Sequence, residues 1–288
     1  MNFIDKLNNL IEKNNSLVCV GLDSDVDKIP KHLASKSGNF QLEFNKSIID
    51  ATRDLVCAYK PNTAFYDQHG VGGLQTLQET IKYIKDNYSD IPIILDAKRG
   101  DIGNTNLGYV GYAFNWLEAD AITLHPYLGK EAMQPFLDRV DNGIVILCRT
   151  SNPGAGEFQD LLVIPSDPPA GGVVEGSHAA KPLYKIVAEK VVNDWNKNGN
   201  CLLVVGATYP EELAAIRKIA GDMTFLVPGV GAQGGDVEKT VKAGLNSQKK
   251  GLIISSSRGI IFASTNADFA GKARVETRKL RDEINKYR

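Results

Sequence analysis

The chain has 288 residues, 43% of them hydrophobic, enough to bury the core of one large α/β domain. Lysine and arginine total 33 against 34 acidic residues, which excludes both the overall basic field of a nucleic-acid binder and an acidic tail. A small-molecule partner fits that balance.

Met1 to Lys13 reads as a charged amphipathic helix with no continuous apolar stretch and no cleavage motif. No later run reaches membrane-spanning length, so a soluble, cytoplasmic protein is expected. Eight short apolar runs then follow in order: Leu17 to Leu22, Leu55 to Tyr59, Ile91 to Leu95, Ala121 to Leu124, Gly143 to Cys148, Cys201 to Val205, Thr224 to Val227 and Gly251 to Ile254. Segments of helical spacing follow them, at residues 40–54, 73–86, 104–117, 129–139, 183–196, 210–219, 235–244 and 267–286. Strands alternating with helices give a parallel sheet covered by helices, and eight units give a closed (β/α)8 TIM barrel spanning 1–288 as one domain. The competing architecture is an open doubly wound sheet. It calls for a G-x-G-x-x-G turn after the first strand, and Gly21-Leu22-Asp23-Ser24-Asp25 does not supply one.

Residues 152–182, rich in Gly, Pro, Ala and Ser, interrupt the pattern and read as a lid or a partly disordered loop. Gly70, Gly72 and Gly73 read as a turn opening a helix. Cys19, Cys57, Cys148 and Cys201 lie in or beside apolar runs without a C-x-x-C pair, so buried reduced thiols are expected rather than a zinc or redox site.

In such barrels the chemistry sits where the strands end and in the loops that follow. Strand one ends in Asp23, strand two in Lys60, strand three in Asp96-Ala97-Lys98-Arg99-Gly100-Asp101, strand four in His125, strand five in Arg149-Thr150-Ser151 and strand eight in Ser257-Arg258-Gly259. Strand alternation places Asp96 and Lys98 on one side, with Asp101 past the Gly100 turn and able to swing back. A lysine among carboxylates is held protonated and suits the role of an acid; a structural ion-pair network at the barrel mouth is the alternative on spacing alone. Asp23 and Lys60, taken singly, fit a solvated pair, but their shared rim position suits binding to sugar hydroxyls. His125, alone after an apolar strand, reads as a wall residue.

Loops seven and eight of such barrels form the usual anion site. The run Pro228 to Asp236 includes Gly229, Gly231, Gly234 and Gly235, which let backbone N–H groups approach an oxyanion, and Gln233 adds an amide donor. Loop eight supplies Arg258, whose fork matches a phosphate.

The string Asp96-Ala97-Lys98-Arg99-Gly100-Asp101-Ile102-Gly103-Asn104-Thr105 resembles the D-x-K-x-x-D-I-x-x-T signature of the orotidine 5′-phosphate decarboxylase family. Gly21-Leu22-Asp23, Tyr59-Lys60-Pro61-Asn62, the loop from Pro228 to Gln233 and Ser257-Arg258-Gly259-Ile260 extend the likeness along nearly the whole chain, and Arg149-Thr150-Ser151-Asn152-Pro153-Gly154 is similar to the longer, second subfamily. The resemblance implies a cofactor-free, metal-free decarboxylase making UMP, the last step of de novo UMP synthesis. It implies that Lys98 protonates C6 of the pyrimidine with Asp96 near the departing carboxylate, that Asp23 and Lys60 bind ribose, that Thr150 or Ser151 contacts the pyrimidine, and that Gln233 and Arg258 hold phosphate. It also implies a homodimer in which Asp101 and Thr105 reach into the neighbouring site. Two other readings stay open: a Mg²⁺-dependent sugar-phosphate decarboxylase or aldolase sharing the D-x-K-x-x-D pattern, and a nucleotide-binding barrel without catalysis.

Overall fold

Parallel strands that are covered by helices on one side and packed together on the other must be apolar on both faces. That is the pattern observed. In the computed structural model, which describes residues 1–34, 38–164, 180–230 and 235–288, each of the eight apolar runs overlaps a strand, several of which extend past the run's C-terminal end: β1 Val18–Gly21, β2 Ala58–Lys60, β3 Ile94–Arg99, β4 Ala121–Leu124, β5 Gly143–Arg149, β6 Cys201–Val205, β7 Phe225–Pro228 and β8 Leu252–Ser256. Every residue of β1, β2, β4 and β6 is buried. The sheet order is β2-β1-β8-β7-β6-β5-β4-β3, all parallel, and the bridges Tyr59↔Ile93 and Asn62↔Asp96 join its two edges into a nearly closed barrel.

The helices surround this barrel: α1 Phe3–Asn14, α2 Phe40–Thr52, α3 Gly70–Asn87, α4 Gly103–Val110, α5 Gly129–Leu137, α6 Gly156–Gln159, α7 Leu183–Lys190, α8 Pro210–Ala220, α9 Val237–Gly244, α10 Arg258–Ile261 and α11 Phe269–Asn285. Side chains cap three of them, since Asn2, Asn39 and Asp236 accept the N–H groups of Asp5, Leu42 and Lys239. The expected helices 104–117 and 183–196 are each α-helical at first and finish as π-helical turns, Gly111–Trp116 and Val191–Trp195. Gly73 must be a glycine, because a Cβ there would lie 1.9 Å from the Tyr66 carbonyl oxygen.

The amphipathic α1 buries Phe3, Leu7, Leu10 and Ile11, roughly 1.5–3 kcal/mol per side chain before conformational entropy is counted. It closes the N-terminal mouth: the Phe3 N–H donates to Asp141, the Phe3 ring lies over Gly143, and Lys6 pairs with Asp120 at 2.9 Å. With that end sealed, the cavity opens at the other, where the strand termini carry their charges. All four cysteines are buried and free, and burial pushes the thiols of Cys19, Cys148 and Cys201 up to about 12, so they stay neutral.

The segment read as an irregular loop is structured in its described parts. Pro153–Ala155 forms a 3₁₀ turn leading into α6, and Leu162–Val163 pairs antiparallel with Lys181–Pro182. Residues 165–179 lie outside the described residues.

Candidate active site

A cavity of about 480 Å³ opens at the C-terminal ends of the strands, with Asp23, Lys60, Asp96 and Lys98 on one wall, Arg258 beside it after β8, and Thr150 and Ser151 at the end of β5. Its charged wall is organised around one carboxylate. Asp96, 8% exposed, accepts from Lys60 Nζ at Oδ2 and from Lys98 Nζ at Oδ1, each at 2.7 Å. Burial by itself would raise the Asp96 pKa; the two ammonium groups, Lys60 first, more than reverse this and hold it well below the usual carboxylate range. Burial pulls the other way on Lys60, and Asp96 with Asp23 overcomes it, leaving that amine more basic than an ordinary lysine. Asp96 and Lys60 are therefore both charged at neutral pH. Lys98 differs in access, since its side chain is 49% exposed against 7% for Lys60.

Strand alternation does not explain how Lys98 reaches Asp96. Leu95 pairs with Ile122 and Arg99 with Leu124, so Asp96, Ala97 and Lys98 together oppose the single residue Thr123. The strand bulges, and Lys98 sits at φ 45°, a left-handed conformation that costs a non-glycine residue about 1–2 kcal/mol. Its amide donates to Thr123 Oγ1 at 2.9 Å, and the Thr123 hydroxyl donates to Asp96 Oδ1 at 2.9 Å.

Asp23 Oδ1 is buried at the cavity wall and accepts no hydrogen bond from the described residues, a site for a ligand hydroxyl. Arg258 is exposed at the start of α10 and has no ion-pair partner among the described residues. Gly231 and Gln233 lie outside the described residues, so of loop seven only its flanks are visible, where Pro228, Gly229 and Val230 line the cavity. The Thr150 hydroxyl is already engaged, accepting from Gln159 Nε2 at 2.8 Å and donating to Asn152 Oδ1 at 2.7 Å; Ser151 lines the same wall.

Asp101 is not drawn into the array of its own chain. Its carboxylate accepts the Ile102 N–H at 2.7 Å, and its amide donates to the buried Asn106, which fixes the turn. Thr105 lies on a separate groove with Asp67, Arg99, Tyr109 and Tyr112. His125 packs on Gly100, with Nε2 3.2 Å from the Gly100 carbonyl oxygen, and a Cβ on Gly100 would approach that nitrogen to 2.4 Å. Thr123, Asn62 and Gln159 line the cavity and were absent from the residues chosen by strand-end charge. A neutral side chain gives that criterion nothing to detect.

Three comparisons bear on this site. The family model described as Orotidine 5'-phosphate decarboxylase / HUMPS family matches residues 16–273. The chain belongs to this family. An orotidine 5'-phosphate decarboxylase of Cellvibrio japonicus is 50% identical over 288 residues, covering 99% of this chain and 98% of the relative, and one from Ralstonia pickettii is 44% identical with full coverage of both. Among solved structures, Leishmania donovani OMP decarboxylase superposes with a TM-score of 0.80 at 36% identity, covering 100% of this chain and 98% of that one. The orotidine 5′-phosphate decarboxylase relatives thus match the barrel from end to end, including every element that carries the charged wall. No helix among the described residues is long and apolar enough to cross a membrane.

Proposed function

We propose that the chain decarboxylates orotidine 5′-monophosphate to UMP and CO₂, with Lys98 as the proton donor. One observation carries this beyond the names of relatives: an accessible ammonium held at the cavity by a buried, doubly paired carboxylate. When the bond from C6 to the carboxylate breaks, its electron pair stays on C6 as a carbanion that the ring delocalises poorly. The fixed charge of Lys98 favours that developing anion, and its proton then completes the C–H bond. Asp96, facing the substrate carboxylate, adds repulsion in the ground state. Asp23 and Lys60 bind the ribose hydroxyls, and Arg258 takes the phosphate with Gln233 and the Gly231 amide. Thr150 or Ser151, both on the cavity lining, contacts the pyrimidine.

The Mg²⁺-dependent reading meets a chemical obstacle, since both Asp96 oxygens already accept from ammonium groups and a cation beside them would face like charges. Loss of orotidylate absorbance, followed in metal-free buffer with a chelator, tests the assignment. Full turnover is expected. Abolition by chelator selects the metal-dependent alternative, and UMP binding without turnover selects a binding barrel.

Replacing Arg258 with alanine should weaken UMP binding roughly 10- to 100-fold, the ~1.5–3 kcal/mol of hydrogen bonds to a charged group, and leave uridine binding unchanged. Calorimetric titration with both ligands checks it, and an equal loss for uridine places the anion elsewhere.

We further propose a homodimer with shared sites. Beside Asp101 and Thr105, Ile102 and Leu107 are 63% and 57% exposed, and Arg99 Nε and the Tyr112 hydroxyl are buried without a hydrogen-bond partner among the described residues. A second copy covering this face would bury the apolar pair and bring Asp101 toward the other cavity. Equimolar mixing of inactive Lys98→Ala and Asp101→Ala variants, after subunit exchange, should then restore activity to roughly a quarter of wild-type sites, because half the dimers are mixed and each has one intact site. No recovery in a demonstrably mixed dimer confines each site to one chain.

A further inference from the structure

A bulge in a parallel strand leaves its extra residues without ladder partners, and each buried N–H stranded in this way must find another acceptor. At β3 three residues stand opposite one, and the one is Thr123. It is 1% exposed and belongs to the regular part of β4, pairing with Val145 of β5. Its position is thus set by the sheet and not by the loop it serves.

A hydroxyl has one hydrogen and two lone pairs, and Thr123 uses them in opposite directions. It accepts the Lys98 N–H at 2.9 Å and donates to Asp96 Oδ1 at 2.9 Å, the same oxygen that receives Lys98 Nζ at 2.7 Å. Backbone of Lys98, side chain of Lys98 and carboxylate of Asp96 therefore close a ring through one oxygen. Without the hydroxyl, the left-handed turn at Lys98, φ 45°, loses the acceptor that compensates its strain, and Asp96 Oδ1 loses the neutral donor that fixes its plane. The carboxylate would then be oriented by its two lysines alone. During proton transfer one of these becomes a neutral amine.

We propose that Thr123 is the positioning residue that sets the Lys98 ammonium against the reacting carbon, acting through the bulge and through Asp96. The proposal rests on the decarboxylase reading for its kinetic consequence, but not for its structural one. Threonine suits the task better than serine in one respect, because its branched Cβ restricts the hydroxyl to few rotamers on a strand.

The test compares the parent with Thr123→Val, which keeps the shape and removes the hydroxyl, and Thr123→Ser, which keeps the hydroxyl. Thr123→Val should lower kcat about 10²-fold, the cost of a misplacement near 1 Å, while KM and UMP affinity change less than about threefold. Thr123→Ser should recover most of kcat. An unchanged kcat in Thr123→Val overturns the proposal; so does Thr123→Ser as slow as Thr123→Val, or a loss shared equally with UMP affinity, which would mark general disorder of the cavity. Hydrogen exchange at the Lys98 amide supplies the second measurement, in the parent alone if Thr123→Val does not fold. Protection in the parent, lost in any folded variant lacking the hydroxyl, is expected, and rapid exchange in the parent overturns the proposal. If the parent fails to turn over orotidylate, the functional reading falls while amide exchange still decides whether Thr123 holds Lys98.

Discussion

Lys98→Ala should abolish orotidylate turnover by at least about 10⁴-fold, since a placed proton donor is worth about 10²–10⁴ and a preorganised charge about 10²–10³ more. Stability should hardly move. The side chain is half exposed, and Asp96 keeps Lys60 and Thr123 as partners when it is gone, so a cost of about 1 kcal/mol or less is expected for an exposed ion pair. UMP affinity should also survive, because the proposed phosphate and ribose contacts lie on β1, β2 and the loops after β7 and β8. Steady-state rates, the thermal midpoint and UMP titration on one preparation separate these effects. A variant that turns over near the parent rate removes Lys98 from the chemistry, and one that loses rate and UMP binding together moves it into the binding machinery.

Much of this fold was legible because burial leaves a plain record. Strands buried on both faces, such as Cys201–Val205, are continuous apolar runs, and helices such as Gly70–Asn87 carry one apolar stripe, so both periods survive in the sequence. The charged strand ends were legible too, and Asp23, Lys60, Asp96, Lys98 and Arg258 do converge on one cavity. What the sequence concealed was register. Nothing in the string Asp96-Ala97-Lys98 announces a bulge, because lysine has no particular preference for positive φ and the residue that stabilises the turn, Thr123, stands on another strand. Alternation gave the right side for Lys98 through the wrong geometry. Asp101 shows the opposite limit: its spacing allowed a return to Lys98, but a local bond to the Ile102 amide holds it at the head of α4. Gln159 was hidden for a third reason, since its partner Thr150 becomes visible only once the short helix α6 is placed over the end of β5.

Asp96→Asn should damage both the reaction and the fold, and the way stability then varies with pH distinguishes its cause. An amide keeps the shape but replaces one acceptor oxygen by an NH₂ group, which must face either Lys60 or Lys98. Lys60, 5% exposed, is thereby left as a buried charge without its principal partner, a loss of about 3–5 kcal/mol by the usual cost of breaking a buried pair. In the parent, the depressed Asp96 pKa gives stability that is complete above the ordinary carboxylate value of about 3.9 and lost as pH falls through the folded value. The raised Lys60 pKa gives stability that is complete below the ordinary lysine value of about 10.4 and lost as pH rises through the folded value. Between those limits the pair contributes a constant amount. With Asp96 neutralised, burial, the largest influence on Lys60, is opposed mainly by Asp23, and the folded pKa drops below that of the unfolded chain. The unfolded state then binds more protons in the alkaline range, so the variant should gain stability as pH rises toward the ordinary lysine value of about 10.4, while the pair's contribution in the parent stays constant. Urea midpoints for both proteins across that range decide the matter. A variant as stable as the parent, with the same dependence on pH, would show that Lys60 does not depend on Asp96 for its burial, and the organisation of the cavity around that carboxylate would have to be abandoned.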